Sequence, residues 1–272
     1  MGTSSRRILK INLSKDFREV KDDEVVVEAF IELYVNDELL FSFTATPEEL
    51  KELAVGLLLS EGILEKLSDL ESVDIEDKKI YVQASHSIES RLRSYRKLKP
   101  SKPTCGGGLN VGFKLRALDS LTVKPIPSNL KVNQESILEA ASKLRGYSKI
   151  YRKTGGTHSA AIFNSEAELL SFAEDIGRHN AVDKAIGSAV LRNIDLESSF
   201  LFCSGRLSLE VVLKAIRVGI PIVSSISAPT SLGIEAADQN KVTLIGFVRG
   251  KRFNVYSHPW RIHGLETLQV SL

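Results

Sequence analysis

The chain has 272 residues, enough for one large or two ordinary domains, and its 43% hydrophobic content excludes global disorder. Lysine and arginine number 36 against 34 acidic residues, so the net charge is only +2 and a general nucleic-acid binder is not expected. The two cysteines cannot form the disulfide framework of a small secreted protein, and no apolar run is long enough to span a membrane. These features predict a soluble, cytoplasmic protein with no membrane association.

The first part of the chain has the pattern of a small α+β domain. β-branched and aromatic residues recur from Glu24 to Thr44, and the pair Asn36-Asp37 divides them, which predicts a hairpin. The next residues have the spacing of a helix N-cap, a first-turn proline and a capping box: Thr46, Pro47 and Glu49. A helix is therefore predicted from this point, followed by a strand-like stretch over 72–84.

The two cysteines have different predicted environments. Cys203 ends an apolar strand and is predicted to be a buried core residue. Cys105 lies in a glycine-rich stretch directly after six cations and no acidic residue over 91–102, a setting that favours an accessible thiolate. An incidental exposed thiol is the alternative interpretation of Cys105.

Pro125, Pro127 and Ser128 mark a boundary between a domain over 1–128 and a second domain over 129–272. The second domain alternates helical and strand-like segments, which predicts an α/β unit with a largely parallel sheet. In such sheets the loops that leave the carboxyl ends of the strands converge on one edge, where ligands bind.

Four loops are predicted to meet at that edge, over 174–180, 204–208, 227–231 and 249–252. They combine hydroxyl groups with cations, among them Ser204, Thr230, Arg178, Arg206 and Arg249. Because helix N-termini present free N–H groups, arginines beside them form sites suited to phosphate. A phosphorylated, nucleotide-like ligand is the resulting hypothesis.

Structural interpretations of the same residues stay open at this point. Each hydroxyl residue taken singly has the pattern of a helix cap. His179 and Asp183 are four residues apart on a predicted helix, so the carboxylate could orient the imidazole in a site or form an ordinary structural pair. His158 follows a glycine pair that fits either a ligand-binding turn or a plain tight turn.

Six ordered segments together resemble the FdhD/NarQ family of formate dehydrogenase accessory sulfurtransferases. They span about residues 25 to 260 and comprise Ala45–Leu50 with Gly56–Gly62, Thr154–Ala161, Glu174–Lys184, Ser204–Ser208, Ser227–Ser231, and Gly246–Gly250 leading to Phe253–Tyr256. The resemblance implies a homodimer whose larger domain is similar to the cytidine deaminase fold, and a small α+β domain that carries the sulfur-bearing cysteine.

The resemblance also implies the chemistry. Cys105 matches the first cysteine of the family's C-x-x-C loop and is the implied catalytic residue, while Gly108 stands at the second position. A single persulfide on Cys105 would therefore take sulfur from a cysteine desulfurase and deliver it to a molybdenum bis(molybdopterin guanine dinucleotide) cofactor, bound as substrate, for formate dehydrogenase. The implied cofactor-binding residues are Phe247, Val248, Arg249, Gly250, Lys251 and Arg252, beside Arg178, His179, Ser204, Arg206 and Thr230.

Two other functions are alternatives to sulfur transfer. A zinc deaminase needs H-x-E with P-C-x-x-C, and both halves are missing here, so no intrinsic metal is expected. A cofactor-binding chaperone in which Cys105 is inert is the second alternative.

Overall fold

The strands in the described part of the chain form three separate sheets. A computed structural model describes residues 2–98, 126 and 128–268, with the side chains of 96–98 excepted. Its sheets have two, four and six strands. Every strand of the four-stranded sheet precedes residue 128, and every strand of the six-stranded sheet follows it.

The two-stranded sheet is an antiparallel ribbon of β1 (Thr3–Asn12) and β2 (Phe17–Val26), which the sequence analysis did not predict. At its base the Val27 N–H donates to the Gly2 carbonyl at 2.9 Å, and Lys153 pairs with Glu24 at 3.4 Å. Apolar side chains along the ribbon are exposed, among them Leu9, Ile11, Leu13 and Val20.

The four-stranded small sheet has the order β4-β3-β6-β5. Its strands are β3 (Ala29–Val35), β4 (Glu38–Ala45), β5 (Leu70–Glu76) and β6 (Lys79–Ala84). The predicted hairpin is confirmed: β3 and β4 are antiparallel, and Asn36 and Asp37 both adopt positive φ in the two-residue turn. Helices α1 (Leu50–Ser60) and α2 (Glu89–Leu98) complete this unit.

The predicted capping box is wrong. Helix α1 begins at Leu50, and its N-cap residue Glu49 has a left-handed backbone with φ 54° and no side-chain capping bond. Thr46 is fully buried, and its hydroxyl bonds to Asp175 of the other unit at 2.8 Å. A long-range partner therefore replaces the local cap that the spacing predicted.

The six-stranded large sheet has the order β8-β7-β9-β10-β11-β12. Its strands are β7 (His158–Phe163), β8 (Leu169–Asp175), β9 (Phe200–Cys203), β10 (Ile222–Ser225), β11 (Thr243–Arg249) and β12 (Arg252–Ser257). Only the neighbours β9, β10 and β11 pair in parallel, so the sheet is mixed and the predicted largely parallel sheet is corrected. The connections from β7 to β8 and from β11 to β12 are too short for a parallel crossover.

Helices cover both faces of the large sheet. Those in this part of the chain are α3 (Gln134–Tyr147), α4 (Lys149–Thr154), α5 (Arg178–Leu191), α6 (Leu209–Arg217) and α7 (Ser231–Gln239). Apolar residues of α5, α6 and α7 form one core with one face of the sheet. Apolar residues of α3 form a second core with the opposite face. None of the helices in the described residues is long and apolar enough to cross a membrane.

Helices α1 and α5 cross at a glycine pair, which joins the two units. A Cβ atom on Gly56 would lie 1.8 Å from the Asp183 carbonyl oxygen, and one on Gly187 would lie 1.9 Å from the Glu52 carbonyl oxygen. Backbone atoms therefore touch directly, and only glycine fits at either position. We call this crossing the glycine junction.

Candidate functional site

The predicted convergence of loops is confirmed by the strand directions. His158, the first residue of β7, pairs with Asp175, the last residue of β8, and β8 thus runs parallel to β9. The carboxyl ends of β8, β9, β10 and β11 consequently lie on one side of the large sheet. We call this side, with the loops over 155–158, 174–180, 204–208, 226–231 and 249–252, the carboxyl edge.

Arg178 and His179 begin helix α5 at the carboxyl edge. A Cβ atom on Gly205 would lie 2.8 Å from the Cβ of Arg178, so glycine lets this arginine pack against the loop after β9. The His179 side chain is only 5% exposed, and its Nε2 lies 2.8 Å from Glu210 Oε2 without the alignment of a hydrogen bond. The contact between His179 and Glu210 thus joins the starts of α5 and α6.

The predicted pairing of His179 with Asp183 is wrong. Asp183 is buried and its Oδ1 lies 2.9 Å from Lys214 Nζ and 2.6 Å from the Ser60 hydroxyl. Lys214 also donates to Glu61 at 3.1 Å. Asp183 therefore belongs to a structural ion-pair network between α1, α5 and α6, and His179 finds its carboxylate partner on a different helix.

His158 and Ser204 form a second polar contact at the carboxyl edge. The Ser204 hydroxyl accepts from the Ser159 N–H at 2.9 Å and lies 3.3 Å from His158 Nδ1. Burial is the main cause that lowers the pKa of His158 below its ordinary value, and the positive charge of Arg178 acts in the same direction. The lowered pKa favours the neutral imidazole.

Titration of His158 gives a direct check of this environment. We expect its imidazole resonances in an NMR titration to shift at a pH below the ordinary value of about 6.5. Since the unfolded chain takes up this proton first, the group lowers stability as the pH falls from about 6.5 towards the folded-state pKa. Arg178→Gln removes one cation and should move the pKa of His158 upwards. A His158 pKa at or above the ordinary value would contradict the described environment.

The hydroxyl residues at the helix starts fall into two groups. Thr230 accepts from the Gly233 N–H at 3.2 Å and is an ordinary cap of α7, while Ser231 is an exposed first residue of that helix. Ser208 occupies the N-cap position of α6, yet its buried hydroxyl oxygen has no hydrogen-bond partner. The capping interpretation thus explains the Thr230 hydroxyl and does not explain Ser208, and a ligand contact of Thr230 stays a prediction.

The segment 247–252 forms the end of β11 and its turn into β12. Phe247 is 37% exposed with φ 54°, and the Arg249 guanidinium carbon lies 6.0 Å from its ring centroid. Arg249 Nε also donates to the Ile226 carbonyl at 3.1 Å. The remaining cations of this segment and of the β9 loop are exposed, namely Lys251, Arg252 and Arg206, and Gly250 forms the turn with φ 60°.

Val248 differs in burial from its neighbours in the predicted cofactor-binding segment. Its side chain is fully buried in the core between the sheet and α3. Alternation along a strand places Val248 on the opposite face from Phe247 and Arg249. The Phe247 ring and the Arg249 guanidinium are therefore presented together on one face, and cofactor binding by the segment 247–252 stays a prediction.

Several residues of the 174–184 segment hold the two units together and were not predicted to do so. Asp175 Oδ2 accepts from the Thr46 N–H at 3.0 Å and lies 2.7 Å from Lys184 Nζ, and both Asp175 and Lys184 have fully buried side chains. Asn180 donates to the Thr44 carbonyl and to Asp175, each at 2.9 Å. The sequence signal that could have predicted these contacts is the presence of charged residues in the otherwise apolar helix α5, because buried charges need partners.

The structure describes the environment of Cys203 and not that of Cys105. Cys203 is buried as predicted, and burial raises the pKa of its thiol to about 11, so it is a poor nucleophile at neutral pH. Cys105 lies outside the described residues, and its predicted role therefore stays a prediction from sequence.

Comparison with known proteins assigns the chain to a family. The sequence profile of the FdhD/NarQ family matches residues 26–263. A sulfur carrier protein FdhD from Sulfolobus acidocaldarius is 40% identical over 259 residues, covering 94% of this chain and 98% of that protein. A sulfur carrier protein FdhD from Methanothermobacter thermautotrophicus is 37% identical, covering 91% of this chain and 94% of that protein.

A solved structure is similar over nearly the whole length. The crystal structure of a protein described as a formate dehydrogenase accessory protein, from Desulfotalea psychrophila, superposes with a TM-score of 0.76 at 25% identity. The match covers 96% of this chain and 99% of that one. With the family profile covering most of the chain and relatives well above 30% identity, this protein belongs to the FdhD/NarQ family.

Proposed function

We propose that this protein is a sulfurtransferase that carries sulfur on Cys105 to a molybdenum bis(molybdopterin guanine dinucleotide) cofactor, bound as substrate, for formate dehydrogenase. Its relatives are named sulfur carrier proteins and its structural neighbour a formate dehydrogenase accessory protein, which supports sulfur transfer in general. The observation that carries the proposal is the carboxyl edge, where cations, helix N-termini and an exposed aromatic ring suit an anionic nucleotide.

The transfer proceeds in two steps. The Cys105 thiolate attacks the outer sulfur of a persulfide on a cysteine desulfurase, the S–S bond of that persulfide breaks, and the desulfurase thiolate leaves. Cys105 then carries a persulfide. On transfer of the terminal sulfur to the cofactor, the S–S bond would break, the Cys105 thiolate would leave, and the metal centre of the cofactor substrate would supply the two electrons that bring the sulfur to the sulfide level. Gly108 at the second position of the loop motif leaves one thiol in that motif, which favours a single persulfide over a relay. The protein works as a cytoplasmic homodimer in this proposal.

The persulfide test uses intact-mass analysis after incubation with a cysteine desulfurase and cysteine. We expect a gain of one sulfur atom that a reductant removes, and no gain in Cys105→Ala. Cys203→Ala is the matched control and should gain sulfur normally, because the Cys203 thiol is buried and its pKa is raised. No gain on the intact protein would instead favour a chaperone that binds the cofactor without carrying sulfur.

A further inference from the structure

The ribbon of β1 and β2 exposes one apolar face. In the described part of the chain its two strands pair only with each other, and a two-stranded ribbon alone is marginally stable in water. Leu9 of β1 lies directly opposite Val20 of β2, and each is 58% exposed. Ile11, two residues further along β1 on the same face, is exposed as well. A contiguous apolar face that meets water marks an interaction surface.

The opposite face of the ribbon is mainly charged. Successive side chains of a strand point to opposite faces, so this second face carries Arg6, Lys10, Glu19, Lys21 and Asp23. One apolar and one charged face are typical of a sheet that is covered on one side and meets water on the other. Since Leu9, Ile11 and Val20 remain exposed, none of the described segments covers the apolar face. A partner is therefore expected there.

The two strands of the ribbon carry opposite charge. Strand β1 has three cations and no acidic residue, a net charge of +3, whereas β2 has four acidic residues and two cations, a net charge of −2. On the apolar face, Arg7 of β1 lies opposite Asp22 of β2. Neither of these two side chains has an ion-pair partner among the residues that the structure describes. Both are thus available to an oppositely charged group of a partner.

A second copy of the same ribbon supplies the matching surface. Two ribbons can stack with their apolar faces together across a two-fold axis that runs parallel to the strands, and each β1 then lies over the partner's β2. Because Leu9 and Val20 are at one level of the ribbon, Leu9 meets the partner's Val20. In the same way Arg7 meets the partner's Asp22, and each contact occurs twice. Pairing of two ribbons edge to edge about a two-fold axis would instead join strands of like charge, which repel.

We propose that the apolar face of the ribbon is a self-association surface, on which two copies of this chain pack face to face and Arg7 of each copy pairs with the partner's Asp22. The inference rests on the proposed function only for the number of copies. It adds the surface through which the two copies meet.

Sedimentation of the full chain over a range of concentrations tests this contact. Leu9→Asp should weaken dimerisation at least tenfold, because it places two carboxylates in the apolar contact. Arg7→Glu and Asp22→Arg should each weaken it at least tenfold, because like charges then meet twice. An equimolar mixture of these two variants should restore the dimer as a heterodimer, because every contact again joins opposite charges. Circular dichroism checks that each variant is folded.

Arg6→Glu and Asp23→Arg are the matched controls. They make the same charge changes at neighbouring positions that lie opposite each other on the charged face, and they should leave dimerisation unchanged. The inference is wrong if the unmodified chain stays monomeric, if its dimer withstands Leu9→Asp and the single charge reversals, or if mixing restores nothing. Sulfur loading of Cys105 can succeed in all three cases, so a failure of the ribbon contact is distinct from a failure of the proposed function.

Discussion

Replacing Gly56 by alanine is expected to lower the free energy of unfolding by about 3 kcal/mol or more, the upper part of the range for overpacking. The added Cβ would lie 1.8 Å from a backbone carbonyl oxygen of α5, and no rotamer change can relieve a clash between two main chains. Helices α1 and α5 must move apart, so the apolar contacts on both sides of the glycine junction are lost as well. At this chain length the melting temperature should fall by roughly 6–12 °C.

Gly146→Ala is the matched control for this substitution. Gly146 lies near the end of α3, and a Cβ atom there would have no neighbour within 4 Å. Alanine should leave stability unchanged or raise it by up to about 1 kcal/mol, because glycine disfavours helix. Chemical denaturation of both variants compares them directly. Equal midpoints for Gly56→Ala and the unmodified protein would show that the helices are not in backbone contact.

Lys214→Met should be the second strongly destabilising change, with a loss of about 3–5 kcal/mol in the free energy of unfolding. The Lys214 side chain is 3% exposed, and its ammonium lies 2.9 Å from Asp183 and 3.1 Å from Glu61. Methionine fills much of the same volume but leaves the buried Asp183 carboxylate without a cation, while Glu61 keeps Arg217 Nη1 at 3.7 Å. Most of this loss is the free-energy cost of a buried carboxylate without a partner, which we call stranded charge. The net stabilisation by the ion pair itself is smaller.

A second substitution tests that reason. Asp183→Asn in the Lys214→Met background removes one stranded charge and should recover part of the lost stability in denaturant titrations. Lys143→Met is the control, because Lys143 pairs with Glu139 on the half-exposed face of α3 and should cost no more than about 1 kcal/mol. The stranded-charge account fails if the double variant is no more stable than Lys214→Met alone.

These two structural features also bear on the carboxyl edge. Helix α5 carries Arg178 and His179 at its start and Gly187 towards its end, so the glycine junction fixes where both side chains lie. Helix α6 carries Glu210 at its start and Lys214 in its next turn. The contacts of the small unit therefore hold the starts of α5 and α6 in place at the carboxyl edge.

Much of this arrangement was predictable from the sequence because it depends on local pattern. Asn36 and Asp37 are turn-forming residues, and they predicted the hairpin that their positive φ angles confirm. An uninterrupted apolar run predicted that Cys203 is buried in the core. The alternation of helices and strands predicted that loops converge at one edge of the sheet. This convergence needs only that several strands end on the same side. The six ordered segments identified the family, which the comparison confirmed.

Only the tertiary structure decided which residue each polar group meets. Thr46 bonds to Asp175, 129 residues away, and Ser60 bonds to Asp183, 123 residues away, so neither partner follows from helical spacing. Local spacing along the sequence predicted a cap at Thr46 and a His179–Asp183 pair. In the structure these residues have partners on other elements instead. Buried polar groups must be satisfied wherever the packed elements bring a partner, and that choice depends on the whole fold.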